Sequence, residues 1–122
     1  MSGGMRFRVV FYATVDGVKP AAQFLATLRA QHPELHRLML QGLIRIEDRA
    51  HHRRPLVELV DTEKRIYEVR VGGTNIARAF FFFEAGARII VTNGYIKKRL
   101  RLDPRELELA RRYKRDCEDR SQ

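Results

Sequence analysis

The sequence predicts an α+β protein with an N-terminal strand, a helical hairpin, an antiparallel sheet meander and a C-terminal helix. Three observations predict this order. Phe7–Thr14 is rich in β-branched and aromatic residues, which is typical of a strand. Two proline-led segments with apolar residues at helical spacing follow it. From Ile66 onward the apolar residues alternate, until a last proline-led helix begins at Pro104. The 122 residues are enough for one domain, residues 1–122.

The helical hairpin is predicted from two prolines and the apolar spacing after each. Pro20 suits the first position of a helix that extends to about Ala30. Pro33 opens a second helix, on which five apolar residues form one stripe. They are Leu35, Leu38, Met39, Leu43 and Ile46. Because only a few residues separate the two helices, we expect them to lie antiparallel.

The meander is predicted from three strands with short connections, Ile66–Val71, Ile76–Glu84 and Arg88–Ile96, with a further strand before them. Ile76–Glu84 is apolar on both sides except at Arg78, which predicts a central strand. We expect the helices to cover one face of this sheet and to leave the other face partly open.

The C-terminal helix has a strong start signal. Asp103 suits the N-cap, Pro104 the first helical position, and Glu106 the far end of a capping box. The helix is expected to end near Cys117. Its core-facing residues are predicted to be Leu109, Ala110, Tyr113 and Cys117.

Composition excludes several classes of protein. The longest apolar run, Ala79–Phe83, is far short of the roughly 20 residues that a membrane span needs. The single cysteine, Cys117, has no partner for an internal disulfide, which favours a cytoplasmic location. No Cys/His cluster has zinc spacing, so neither a metal nor another cofactor is expected. The serines, Ser2 and Ser121, lie at the two ends, which argues against a serine nucleophile.

Charge indicates the kind of partner. Lys and Arg total 24 against 15 acidic residues, a net charge of +9. A domain this basic expects an acidic partner, most commonly nucleic acid. The segment Arg49–Arg54 is interpreted as a solvated, basic helix end, and its Arg53 and Arg54 as RNA-binding residues.

Charged residues on the predicted strands point to a site on the sheet. Glu68 and Arg70 share one side of their strand, and Arg78 interrupts an apolar strand. An unpaired buried guanidinium costs several kcal/mol, so Arg78 needs an anion or an open face. Tyr95 and a run of cations come at the end of the last strand and after it, and such a composition is typical of a groove that tracks phosphates. The run comprises Lys97, Lys98, Arg99 and Arg101. Alternatively, Glu68 pairs with Arg78 as an internal bridge, and the run is an ordinary solvated loop.

An ordered set of motifs resembles the RelE/HigB toxin superfamily, and within it the phage Gp49-like HigB branch of type II toxin–antitoxin systems. These motifs are Ile66-Tyr-Glu-Val-Arg70, Arg78 with Phe80–Phe83, Asn93-Gly-Tyr-Ile-Lys-Lys98, and Pro104 with Glu106 and Ala110. The resemblance extends from about Phe7 to Arg115. It implies a RelE/ParE-like fold and an mRNA endonuclease that acts in the ribosomal A site. It also implies a neutralising antitoxin, usually a helix-turn-helix protein.

The resemblance also implies which residues carry the chemistry. Arg78 matches the family's catalytic arginine, and Glu68 and Arg70 match polar or basic positions of its active-site strand. Tyr95 matches an aromatic position, and Lys97 and Lys98 match a basic pair. Together with Arg99, Arg101, Arg53 and Arg54 for RNA binding, these residues form the predicted site. One departure is Asn93, where many members of the branch have a histidine; an asparagine transfers no proton at neutral pH.

RNA cleavage of this kind uses the 2′-OH of the substrate as nucleophile and requires no metal. Arg70 and Arg78 would then stabilise phosphorane charge, Glu68 would act as base, and Lys97 or Lys98 would donate a proton or bind a phosphate. Three readings remain open at this point: a ribosome-dependent toxin ribonuclease, a non-catalytic member of the fold (a ParE-like gyrase inhibitor or an RNA-binding module), and a structural partner in a complex.

Overall fold

The computed structural model describes residues 6–97 and 102–121. Its regular elements follow the predicted order. They are β1 (Arg8–Phe11), α1 (Pro20–Gln31), α2 (Pro33–Arg45), β2 (Val57–Asp61), β3 (Ile66–Gly72), β4 (Ile76–Glu84), β5 (Arg88–Lys97) and α3 (Pro104–Arg120). The α+β fold class is confirmed, and the order of elements is consistent with a RelE-like fold.

The strands form one five-stranded sheet in the order β1-β5-β4-β3-β2. The chain from β2 to β5 is an antiparallel meander, as predicted, and β4 occupies the middle. β1 lies at the edge of the sheet opposite β2 and pairs with β5 in parallel, with Val9 opposite Ile89. The helical hairpin connects β1 to β2 and so carries the chain from one edge of the sheet to the other.

The main core lies between the sheet and the hairpin. His32 alone separates α1 from α2, and prolines occupy the first turn of both helices. Apolar residues of α1 and α2 pack against the sheet residues that alternate along one face. This core includes Leu25, Leu28, Leu35, Met39 and Leu43 from the helices, and Val69, Ala79, Phe81 and Val91 from the strands.

The expectation that the helices share one face of the sheet is wrong, because α3 lies on the opposite face from α1 and α2. Leu107 and Ala110 pack against Phe80, and farther along α3 Tyr113 packs in a cluster with Phe82. Since successive residues of a strand point to opposite faces, the four phenylalanines of β4 supply apolar surface to both sides. Both faces of β4 are therefore covered from Phe80 to Phe82, whereas Phe83 at its end is exposed.

α3 starts as predicted and extends farther, to Arg120. The Asp103 carboxylate accepts a hydrogen bond from the Arg105 backbone N–H at 2.9 Å. Leu107 is buried in the core where Leu109 was expected. Two positions along a helix turn a side chain by about 200°, so the two leucines point in nearly opposite directions.

Two further predictions need correction. The Asp103 backbone N–H donates to the Tyr95 hydroxyl at 3.1 Å and not to Glu106, so no reciprocal capping box forms. Arg49–Arg54 is not the end of α2: a separate 3₁₀ turn covers Arg49–His51, and His52 is half-buried. None of the helices in the part of the chain that the structure describes is long and apolar enough to cross a membrane.

Candidate functional site

One row of side chains crosses three strands on the face that carries α3. Arg70 of β3 lies opposite Arg78 of β4, and Arg78 lies opposite Tyr95 of β5. Glu68 is two residues from Arg70, and Lys97 is two residues from Tyr95, so both share the face of the row. The register thus brings five sequence-predicted site residues onto one surface.

Glu68 and Arg78 form a buried ion pair. Arg78 Nη1 contacts both carboxylate oxygens of Glu68, and the longer of the two contacts is 2.5 Å. Glu68 has no exposed surface, and Arg78 is 5% exposed. Of the two arrangements that the sequence leaves open for Arg78, the internal bridge is the one present. Among residues 6–97 and 102–121, Arg78 Nε is also buried and without a hydrogen-bond partner.

Burial shifts the pKa values of Glu68 and Lys97, which both lie near Arg78, toward each other. Desolvation raises the pKa of Glu68, even though the Arg78 charge acts in the other direction. Desolvation lowers the pKa of Lys97, and repulsion from Arg78 lowers it further. A carboxyl group and an amine with such opposite shifts are suited to exchange protons nearer neutral pH than ordinary Glu and Lys side chains.

Tyr95 connects this surface to the start of α3. Its ring stacks on Phe80 with 5.8 Å between the centroids. Its hydroxyl accepts the hydrogen bond from the Asp103 backbone N–H. Burial raises the pKa of Tyr95, so its hydroxyl stays protonated at neutral pH.

Arg70 is the solvent-exposed member of the row. In the described segments it forms no ion pair, and it faces Arg78 directly across the ladder. Like charges placed opposite each other on neighbouring strands are unfavourable without an anion between them. With Lys97 nearby, three cations share the surface that holds the buried carboxylate of Glu68, which makes this surface attractive to a phosphate.

Asn93 and Gly94 connect β5 to the helices that pack on its two faces. Asn93 is buried, and its side-chain amide donates to the Glu106 backbone carbonyl at 3.2 Å, which ties β5 to α3. Its amide oxygen accepts from the Thr92 hydroxyl at 2.8 Å. Gly94 leaves space for the ring of Phe24 on α1, since a Cβ there would lie 2.4 Å from Phe24 Cδ2.

Comparison with known protein families identifies the family. Residues 26–115 match the family described as phage derived protein Gp49-like (DUF891). The matched region includes Glu68, Arg70, Arg78, Tyr95 and Lys97. The chain belongs to the Gp49-like family. No curated protein matches the chain.

The Gp49-like family is a family of RelE/HigB-type toxins. Membership indicates that this Gp49-like chain is the toxin of a toxin–antitoxin pair, and it implies an antitoxin as partner.

The remaining predicted residues of the Gp49-like chain do not join this row. Lys98, Arg99 and Arg101 lie outside the described residues. Arg53 is exposed. Arg54 Nη2 lies 2.5 Å from Glu58 Oε1.

Glu58 is a residue that sequence reasoning missed. It lies opposite Glu68 on the neighbouring strand, β2, and its charge contributes to the raised pKa of Glu68. The apolar and β-branched residues around Glu58 are typical of a strand, but only the register places Glu58 beside Glu68. No group of three or more His, Cys, Asp and Glu side chains is arranged to hold a metal within the described segments.

Proposed function

We propose that this protein is the ribonuclease toxin of its toxin–antitoxin pair, a metal-independent endonuclease that cuts mRNA on the ribosome. The observation that carries the proposal is the convergence of Arg70, Arg78 and Lys97 around Glu68 on one surface. Three cations and a carboxylate are the groups that cleavage by a substrate 2′-OH requires, and among them the carboxyl group of Glu68 has a raised pKa and the amine of Lys97 a lowered one.

Phosphate binding is assigned to the arginines. Arg70 is exposed and meets the RNA backbone first. The scissile phosphate then competes with Glu68 for the guanidinium of Arg78, whose Nε already lacks a partner within the described chain. A guanidinium matches phosphate oxygens in geometry and stabilises the extra negative charge of the phosphorane.

Proton transfer is assigned to Glu68 and Lys97. When Arg78 turns to the phosphate, Glu68 loses its counter-ion and becomes a stronger base, which accepts the proton of the attacking 2′-OH. Lys97 donates a proton to the leaving 5′-oxygen, and the lowered pKa makes that donation easier. Tyr95 lies beside them with a protonated hydroxyl and an aromatic face for a base.

The ribosome supplies the orientation that this small surface lacks, because holding the message in place turns an unfavourable encounter into an intramolecular step. We also propose a helix-turn-helix antitoxin and a cytoplasmic site of action, where message and ribosomes are found.

The test is induced expression in a bacterial host, with message 5′ ends mapped by primer extension. Arg70→Ala is the main variant, since an exposed side chain without an ion pair in the described segments can be removed without loss of folding. Arg29→Ala, an exposed arginine of α1, is the matched control. Codon-phased cuts in the parent chain and in the control, reduced at least about tenfold in Arg70→Ala, are expected, because one lost charge-assisted contact costs about 1.5–3 kcal/mol. Equal cutting by all three would overturn the assignment of Arg70.

A second candidate is a non-catalytic member of the fold. The complete burial of Glu68 under Arg78 favours it, since a satisfied ion pair needs no substrate. A ParE-like gyrase inhibitor would leave message intact and cause DNA damage. A plain RNA-binding module would bind RNA in a salt-dependent way and yield no product.

A further inference from the structure

A partly exposed aromatic cluster lies on the face of the sheet opposite Arg78. Phe83, at the end of β4, is 36% exposed. Its ring centroid lies 5.2 Å from that of His52, 5.6 Å from Phe7 and 5.0 Å from Tyr67. Phe83 and Arg78 are five residues apart, about 16 Å along the strand, and alternation places them on opposite faces. The cluster is therefore separate from the candidate site.

The segments that hold Phe7 and His52 are fixed to each other. The Phe7 backbone N–H donates to the Glu47 carbonyl at 2.8 Å, and Arg6 forms a β-bridge with Asp48. One ring nitrogen of His52, Nε2, lies 2.6 Å from the Ile46 carbonyl oxygen. These contacts hold the His52 ring edge-on to Phe7, with an interplanar angle of 61°. The aromatic surface is thus preformed.

Three arginines lie on the same two segments. Arg6 precedes Phe7 in the chain, Arg53 follows His52, and the Arg49 carbonyl accepts the His52 backbone N–H at 3.0 Å. All three are exposed, and within the described residues none forms an ion pair. The nearby Asp48 carboxylate already accepts the Ala50 backbone N–H. The segments that form the aromatic surface therefore carry three exposed arginines, none of which has an ion-pair partner among the described residues.

We infer that Phe83 and His52, with Arg6, Arg49 and Arg53 around them, form a second RNA-binding surface, on which an unpaired base stacks and phosphates meet the arginines. Aromatic faces next to unpaired cations match single-stranded RNA, because each nucleotide supplies a π-face and a negative charge. An acidic protein segment would satisfy the arginines and leave the aromatic faces without a matching group. The inference rests on the proposed function only in that RNA is the substrate; the surface would hold message at a point remote from the cut.

The test uses the absence of tryptophan from the chain. In Phe83→Trp the introduced indole reports stacking directly by fluorescence. The probe is a 2′-O-methylated single-stranded oligouridine of about 12 nucleotides, which has no free 2′-OH and cannot be cut. Polyphosphate serves as a probe of charge without bases. Quenching by the oligouridine and not by polyphosphate is expected.

Two outcomes would overturn the inference. One is an unquenched indole while anisotropy of a labelled oligouridine shows that it is bound. The other is equal quenching by polyphosphate. Phe83→Leu, which keeps an apolar side chain, provides a second measurement: oligouridine affinity is expected to fall at least about fivefold, as stacking is lost. Ile44→Ala, at a 64% exposed residue of α2, is the control and should bind normally. Normal binding by Phe83→Leu would also overturn the inference.

The arginines are tested by salt dependence. Arg49→Ala or Arg53→Ala is expected to lower the slope of log affinity against log salt by about 0.7, the value for one phosphate contact to a single strand. Arg29→Ala should leave the slope unchanged. An unchanged slope in both Arg49→Ala and Arg53→Ala would show that neither arginine contacts the phosphates of the bound RNA. All of these readouts measure binding and not cleavage. A protein that quenches on binding oligouridine but does not cut message would refute only the proposed nuclease activity. A protein that cuts message while the indole of Phe83→Trp stays unquenched would refute only this second surface.

Discussion

Glu68 is a carboxylate with no exposed surface, and its neighbour Arg78 compensates its charge. Breaking a buried ion pair from one side leaves an uncompensated charge. We therefore predict that Glu68→Gln lowers the free energy of unfolding by about 3–5 kcal/mol, measured by urea denaturation.

A double variant tests the reason for that loss. Glu68→Leu with Arg78→Met removes both charges and keeps comparable volume, and such replacements are often neutral for stability. The double variant is expected to recover most of the stability lost in Glu68→Gln, while RNA cleavage stays absent. If the double variant were less stable than Glu68→Gln, the Glu68–Arg78 ion pair would contribute more to stability than the compensation of one buried charge by the other.

The shifted pKa values of Glu68 and Lys97 predict a narrow pH profile of cleavage. The base must be deprotonated, so a raised pKa of Glu68 moves the acid limb to higher pH than an ordinary glutamate gives. The acid must be protonated, so a lowered pKa of Lys97 moves the alkaline limb to lower pH. Lys97→Arg should shift or abolish the alkaline limb in single-turnover cleavage assays across pH. An alkaline limb unchanged in that variant would assign the acid to another group.

At the level of residues, the sequence predicted that Glu68 and Arg70 share a face, because alternation along β3 determines it. Whether Arg78 shares that face depends on the register of β4 against β3, which the sequence does not determine. It left the partner of Arg78 open, since pairing with Glu68 depends on the register of β3 against β4. The role of Asn93 was also invisible in the sequence, because its partners are Thr92 and the backbone of α3, which only the packing brings together.

Gly94 shows how α1 and the site strands constrain each other. A Cβ at residue 94 would lie 2.4 Å from Phe24 Cδ2 and 2.7 Å from the Arg78 backbone oxygen. Gly94→Ala is therefore predicted to lower the free energy of unfolding by about 1–3 kcal/mol through overpacking. Gly73→Ala is the control, since nothing lies within 4 Å of a Cβ there. Equal stability of the two variants in thermal melts would show that Phe24 and β4 shift to accommodate the added methyl group without loss of stability.

The placement of α3 was the element-level error, although a signal was present. β4 is apolar on both sides, with Phe80 and Phe82 on one face and Phe81 on the other. A strand of this kind requires cover on both faces, which two helices on one face do not supply. The order of the helices and strands was predictable from prolines and periodicity, although β1 ends at Phe11 and not at Thr14 and α3 extends to Arg120. The side on which a helix packs is decided by which apolar surface remains uncovered.

At the scale of the whole molecule, 24 basic residues against 15 acidic ones make the folded chain repel itself. Exposed ion pairs such as Arg37–Glu34 contribute little to stability. Added salt screens the long-range repulsion, so we predict that the free energy of unfolding rises between low salt and about 0.3 M NaCl, where the Debye length falls below roughly 10 Å.

RNA affinity should change in the opposite direction over the same salt range, because counterions compete for the phosphates. Parallel urea denaturation and RNA-binding titrations at matched NaCl concentrations measure both effects on one preparation. A basic surface that binds phosphates destabilises the free protein through charge repulsion, and a bound anion relieves that repulsion. The free energy of unfolding should therefore rise with salt while the RNA affinity falls. Stability that falls with salt would mean that local pairs such as Arg111–Asp61 outweigh the net charge.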